Sequence, residues 1–511
     1  MMKETDASIN YPSAEGGPQM QPTRPFWGKQ GSTVSMLLVK PTQVATQGVG
    51  IVLYGPEKDL SQPRYAGWAE SGTMVWKASW LNLLFIVIPF AWASHWLVDT
   101  WGHEVTFLLC FISIIPLQNI FDWCGDQVAR RKETEAQRDL GDFLAITFKN
   151  LVEATLSAIL LKNCHLRLLQ STVAGVVILH LLLVPGTAFF VGGSQTFQQI
   201  LHPHHASLNP SLLMTGVLAI MLPTAFFAAL DRGASADGSR DTFVSDSMRD
   251  SLLKMSRGIS VMLLLIYIAS RIYRHFQWPP RCLRRDVARR PCSPADGISD
   301  ATAARPRPHS YDTEESDPGE QELAAEHANE KLLHPIVCAI LICVSTAVMA
   351  VTAEFLVQSI DPIRERFNIQ AEWFGLILLP LLGRNDASAK KPRPTSLLAH
   401  GRPIDLSIQF TLWWMPLLVL FAWWTGKPFH LLFDYFEVAL LLGSCFLVNY
   451  VTADGKTNFA EGVTLITFYA MIATATWFYP GQPQVGFLLS CPGSVAEAVA
   501  SDVGNALAVS L

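Results

Sequence analysis

Charge is what this chain has least of. Only 16% of its 511 residues are Asp, Glu, Lys or Arg, while 50% are hydrophobic. A soluble globular domain carries about a quarter charged residues, so an ordinary soluble enzyme is excluded. The nine cysteines are scattered, with no CxxC pair and no knuckle spacing. Neither a zinc site nor a disulfide framework is expected from them. Cys110, Cys338, Cys343 and Cys445 lie in apolar runs and read as packing residues. A P-loop is also missing, which argues against ATP-driven chemistry. Residues 1–70 are polar and rich in Pro, Gly, Ser and Gln, without the apolar stretch of a signal peptide.

What is present in quantity is long apolar runs. A spanning helix needs about 20 predominantly apolar residues. Eleven apolar segments are read as spans on this basis, the eighth of them short. They cover about Ser79 to Val98, His103 to Phe121, Leu140 to Leu161, Leu168 to Val191, Leu212 to Leu230 and Leu252 to Tyr273. After a polar gap come Leu333 to Ile360, Trp373 to Gly383, Ile404 to Trp424, Phe433 to Tyr450 and Phe459 to Tyr479. The expected fold is therefore an all-α membrane protein of about 11 transmembrane helices.

The gap, 276–331, opens with Arg281, Arg284, Arg285, Arg289 and Arg290 and then turns acidic and Pro-rich. Such a segment cannot bury a core and is expected to be disordered. It divides the chain into a tail (1–75), a first half (76–275), the linker (276–331), a second half (332–480) and a C-terminal tail (481–511). Basic residues concentrate in three loops: Arg130 to Arg138, the arginine patch, and Arg384 to Arg402. The positive-inside rule puts all three in the cytosol, with the N-terminus in and the C-terminus out. The patch serves topology or anionic lipid, and a nucleic-acid partner is not expected.

One leading span followed by two sets of five requires the second set to insert upside down. Inverted repeats mark transporters, with the site at mid-membrane where the repeats meet. The third span carries Asn150 and Glu153, i and i+3 on one helix. An intramembrane carboxylate is expensive and is a functional hypothesis by default. Its counterpart in the second set is the eighth span, which ends in Pro380-Leu381-Leu382-Gly383-Arg384-Asn385-Asp386. The cluster His202-Pro203-His204-His205 has no carboxylate or Cys at ligand spacing, and no metal site is read there. Glu437 and Asp454 read as stabilisers of helix ends.

Several stretches resemble the calcium/cation–proton exchangers, the CAX branch of the cation/calcium exchanger superfamily. They include Lys77 to Leu84, Asn150 to Glu153, Leu168-Leu169-Gln170, Ala353 to Val357, Phe374 to Pro380, Phe436-Glu437, Asn449-Tyr450-Val451 and Glu461-Gly462. The resemblance covers about residues 76–275 and 333–480. It implies one leading helix plus two inverted five-helix repeats. It also implies a secondary antiporter of a fungal vacuole or similar acidic organelle, moving Ca²⁺ in as protons come out. Ca²⁺ is then a transported substrate. No cofactor and no catalytic residue are expected, the bilayer is the surrounding partner, and a homo-oligomer remains open.

Carried onto this chain, the family signatures point to Glu153, Asn150, Asn385 and Asp386 for the cation. They point to Glu153, Asn150, Glu354, His180 and Gln409 for coupled ion and proton movement. Four departures from the family pattern stand out. Lys149 replaces a glycine. Gly175-Val176 and Leu179-His180 replace Gly-Ser and Ser-Asn. Gly383-Arg384-Asn385-Asp386-Ala387 replaces Gly-Asn-Ala-Ala-Glu, and Ser388 to Leu406 lacks the expected Gly-Ser-Ser turn. Fewer oxygens and one fewer carboxylate keep open a monovalent Na⁺ or K⁺/proton antiporter, or a non-transporting homologue with a regulatory role.

Overall fold

The computed structural model describes residues 65–129, 135–194, 199–200, 209–236, 244–276, 332–383, 402–491 and 493–500. The N-terminal tail, most of the linker with its arginine patch, the histidine cluster, Asn385 and Asp386 lie outside the described residues. The first half contains α1 (Trp68–Ala78), a 3₁₀ segment Trp80–Ile86, α2 (Val87–Trp96) and a one-turn helix Val98–Trp101. It continues with α3 (His103–Ala129), α4 (Glu135–Lys149), α5 (Leu151–Lys162), α6 (Leu166–Ile178), α7 (Val184–Gly193), α8 (Asn209–Ala236) and α9 (Asp246–Phe276). The second half has α10 (Pro335–Gln358), α11 (Ile360–Phe367), α12 (Ala371–Trp373) with its continuation to Gly383, and α13 (Arg402–Gln409). It ends with α14 (Met415–Trp424), α15 (Tyr435–Val451), α16 (Phe459–Trp477) and α17 (Pro483–Leu488).

Among the described residues, seven helices are long and apolar enough to cross a membrane, or up to nine when two bent pairs are each taken as one crossing. The eighth and tenth expected spans correspond to shorter apolar helices, Ala371–Gly383 and Tyr435–Val451. Length and composition therefore do not by themselves establish eleven. The predominantly helical membrane fold is as expected.

Prolines explain three local widenings of the helices. Leu179–Leu183, Phe374–Leu378 and Phe410–Trp414 are π-helical turns. Each ends two residues before a proline: Pro185, Pro380 and Pro416. A proline has no N–H for the carbonyl four residues back and its ring crowds that carbonyl. The affected carbonyls belong to Leu181, Leu376 and Leu412, inside the three π turns, and such turns recur at functional sites. The first and third occupy corresponding places in the two halves, the fourth and ninth expected spans, as an inverted repeat requires.

Small residues let the helices approach closely, as in membrane interiors generally. A Cβ on Gly462 would sit 2.4 Å from Phe190 N, and one on Gly193 would sit 2.4 Å from Phe459 N. These glycines bring α16 onto α7. One apolar core runs through both halves, from Ile114 and Leu156 to Phe410 and Leu441.

Polar contacts collect at the two ends of the bundle. At one end, Lys162 meets Glu354, Arg366 meets Glu104, and Arg167 meets Glu372 and Asp434. At the other, Lys149 meets Asp126 and a two-residue antiparallel pair joins β1 (Gln199–Ile200) to β2 (Lys456–Thr457). This sorting is what alternating crossings predict.

One expectation is corrected. Cys164 and Cys491 form a disulfide, although no framework was read from the cysteines. The partners are 327 residues apart, one in the turn between α5 and α6 and the other in the C-terminal tail, so no local spacing marks them. Among the described residues of the C-terminal tail, Pro483–Leu488 forms the short helix α17. The tail packs back through Val485, Leu488 and Val495, all buried.

Candidate functional site

The site is built around a helix break. α4 ends at Lys149 and α5 starts at Leu151, and the two bend by 55° at Asn150. The break places Glu153 in the first turn of α5, pointing inward and only 2% exposed. Neither carboxylate oxygen of Glu153 has a hydrogen-bond partner. His180, in the first π turn, brings Nε2 to 3.8 Å from Glu153 Oε1, near but beyond hydrogen-bond distance. Asn150 donates from Nδ2 to Gln409 Oε1 at 3.0 Å and to the Leu406 carbonyl at 3.3 Å. Its own Oδ1 is buried and unpartnered. Gln409 in turn donates to Thr147 Oγ1 at 2.8 Å.

The second half reaches the same point. A Cβ built on Gly383 would fall 1.8 Å from Glu153 Oε1, so the end of the eighth expected span lies directly on the carboxylate. Spans three and eight therefore meet where the repeat argument places them. Asn385 and Asp386 follow Gly383 in sequence but lie outside the described residues.

Glu153, Asn150, His180 and Gln409 are thus brought together, and Glu354 is not. Glu354 lies at the end of the bundle, accepting from Lys162 Nζ at 3.0 Å and Asn163 Nδ2 at 3.2 Å. Lys162 is nine residues along α5 from Glu153, about 13 Å at the helical rise. Lys149 turns away from the carboxylate: its Nζ lies 3.5 Å from Asp126 Oδ1. That geometry removes the repulsion a lysine beside a cation site would bring.

Four residues at or near the site were missed. Thr147 fixes Gln409. Ser157, one turn after Glu153, and Thr411, in the third π turn, each bury an unpartnered hydroxyl. Gly383 carries the close contact. Ser157 was readable from its i+4 spacing to Glu153, and Thr411 from its place two residues after Gln409.

Chemically, the described oxygens free at or near the site are the two of Glu153, Asn150 Oδ1, and the hydroxyls of Ser157 and Thr411. No group of three or more His, Cys, Asp or Glu poised to hold a metal occurs among the described residues. A buried carboxylate with nothing bound to it is costly unless it is protonated or paired with a cation. The arrangement can therefore hold either a proton or a metal cation in turn.

An inward carboxylate at a broken helix, met by the end of a segment from the other half inside a many-helix membrane bundle, defines a secondary ion carrier of the exchanger type. Residues 103–275 match the family model described as sodium/calcium exchanger protein. Over 546 aligned positions the chain is 30% identical to a vacuolar calcium ion transporter of Cryptococcus neoformans var. grubii, covering 96% of this chain and 88% of that protein. It is 28% identical to a Ca²⁺/H⁺ antiporter of Synechocystis sp., over 78% of this chain and 97% of that one. The solved structure of native YfkE superposes with a TM-score of 0.55 at 20% identity, over 78% of this chain and all of that one. The chain belongs to the sodium/calcium exchanger family.

Proposed function

We propose that this protein is a secondary active antiporter that moves Ca²⁺ into an acidic organelle, most simply a fungal vacuole, in exchange for protons. The observation that carries this reading is Glu153: buried, unpartnered at both oxygens, and set where the two halves meet. One carboxylate that binds Ca²⁺ or a proton, but not both, makes exchange obligatory. Ca²⁺ takes six to eight oxygens. Glu153 and Asn150 Oδ1 supply part of that set, with the Ser157 and Thr411 hydroxyls nearby, and Asn385 and Asp386, which follow Gly383, are assigned the second half's share. His180, within 4 Å of the carboxylate, is the proton-linked neighbour, and Gln409 positions Asn150. Glu354 has the lesser role of stabilising the end of the α5 segment. The N-terminus is cytosolic, because that orientation puts all three basic loops on the cytosolic side.

A monovalent cation is the second reading. It is favoured by the single carboxylate that the described residues bring to the site. The test is proton-gradient-driven ⁴⁵Ca²⁺ uptake into vesicles holding the full-length protein, with Na⁺ and K⁺ as competitors. Uptake is expected in the wild type and absent in Glu153→Gln. Uptake that survives Glu153→Gln would sink the site assignment, and Na⁺ or K⁺ flux without Ca²⁺ flux would establish the second reading.

A further inference from the structure

A second buried carboxylate cluster lies toward the end of the bundle that carries Arg167. The Arg167 guanidinium, in the first turn of α6, lies 3.1 Å from Glu372 Oε1 through Nε and 2.7 Å from Asp434 Oδ2 through Nη2. Asp434 is saturated. Its Oδ1 accepts from Tyr479 Oη at 2.6 Å and Phe436 N at 3.1 Å, and its Oδ2 also accepts from Gln482 N at 2.9 Å. Glu437, one turn further along α15, is 1% exposed. Its Oε1 accepts from Ser171 Oγ, while its Oε2 is buried with no partner.

The charges do not balance. Three carboxylates, Glu372, Asp434 and Glu437, face one guanidinium. Uncompensated charge in a buried site is costly. Asp434 and Glu372 both hold the guanidinium, so Glu437 is the carboxylate of the three with no cation contact. A proton on Oε2 reduces the excess negative charge there. Ser171 suits both states, since a hydroxyl donates to a carboxylate and accepts from a carboxylic acid.

A seam of close contacts leads from here to the exchange site. Ser171 lies five residues into α6, about 8 Å from its start, against about 13 Å from Lys162 to Glu153 along α5. A Cβ on Gly375 would meet Ser171 Cβ at 2.7 Å, one on Gly175 would meet Leu376 O at 2.2 Å and Pro380 at 2.7 Å, and Gly383 then rests on Glu153. α6 and the α12 segment thus stay in contact from Glu437's partner to Glu153.

We propose that Glu437 is a second exchange carboxylate, a proton station between the organelle lumen and Glu153, held in place by Ser171 and set against Arg167. This rests on the antiport reading above. The charged and titratable groups facing it are Arg167 from α6, Glu372 from α12, Asp434 ahead of α15 and Tyr479 after α16. His430 touches the cluster's edge through its carbonyl, which accepts from Gln170 Nε2.

The experiment measures Ca²⁺ uptake by the full-length protein in vesicles while luminal pH is varied and external pH is held. Glu437→Gln is expected to keep the external KM for Ca²⁺ within about twofold, to lower the maximal rate on the order of 100-fold, and to flatten its dependence on luminal pH. Glu437→Asp should retain that dependence with a displaced midpoint, and Ser171→Ala should displace it as well. A wild-type luminal pH profile in Glu437→Gln overturns the proposal. So does a raised KM with an unchanged profile, which would assign Glu437 to the cation. If Glu437→Gln fails to insert, Ser171→Ala decides: a displaced profile supports the station and an unchanged one overturns it. A wild type without proton-driven uptake overturns the antiport reading as well, which separates the two failures.

Discussion

Gly383→Ala tests the contact between the two halves directly. The added methyl carbon would lie 1.8 Å from Glu153 Oε1 and 2.5 Å from its carboxyl carbon. An ordinary C···O contact is about 3.3 Å or more, so the carboxylate must retreat by roughly 1.5 Å. It can do so cheaply, because it is the far end of a flexible side chain and has no hydrogen bond to break. The fold should therefore survive while the site does not. A misplacement of about 1 Å costs on the order of 100-fold in sites that depend on geometry, and a fall of that size in ⁴⁵Ca²⁺ uptake is expected, with normal membrane levels and melting temperature. Gly175→Ala is the contrasting change. Its Cβ would strike the Leu376 carbonyl at 2.2 Å, and backbone cannot swing aside. Overpacking of this kind costs about 1–3 kcal/mol, so Gly175→Ala should lower the melting temperature. The reasoning is refuted if Gly383→Ala transports within twofold of wild type.

Two further outcomes are expected. His430 is wholly buried in the connection before α15, and burial pushes its imidazole down to about 4; its Nδ1 accepts from Leu432 N, which requires the neutral ring. The unfolded chain takes up this proton near pH 6.5, so stability is full above that pH and falls toward about 4, by up to a few kcal/mol. Thermal melts of His430→Gln should be flatter than wild type across that window, and an identical slope would refute it. For the disulfide, thiol labelling should miss Cys164 and Cys491 until reductant is added, and Cys491→Ser should lose about 2–4 kcal/mol of stability. Labelling of Cys491 in the untreated protein would contradict the bond.

The helical membrane fold was legible because apolar length alone identifies most crossings. The eighth and tenth segments blur because proline and polar residues cut them short: Pro380 widens the chain two residues after Leu378, and Asp434 caps α15 through Phe436 N. Glu153 was legible as a carboxylate in an apolar run, and Asn150 and Gln409 through family signatures. The bend at Asn150 was not, because neither proline nor glycine marks it. Glu437 was read as a stabiliser of a helix end. Only the fold shows that Ser171, from another span, covers it. Arg167 carried no local signal for the same reason: its two carboxylate partners are 205 and 267 residues away.

The link between Cys164 and Cys491 also orders events during biogenesis. Cys164 is synthesised 327 residues before its partner. At about 5–20 residues per second that is roughly 15 to 65 s of translation, through which its thiol stays open. The bond closes only when the last helices are in place and the tail has reached the same face as the α5–α6 turn. A copy that ends early, or whose tail stays on the wrong face, keeps a free Cys164. Within a population of chains, that thiol distinguishes unfinished molecules from completed ones.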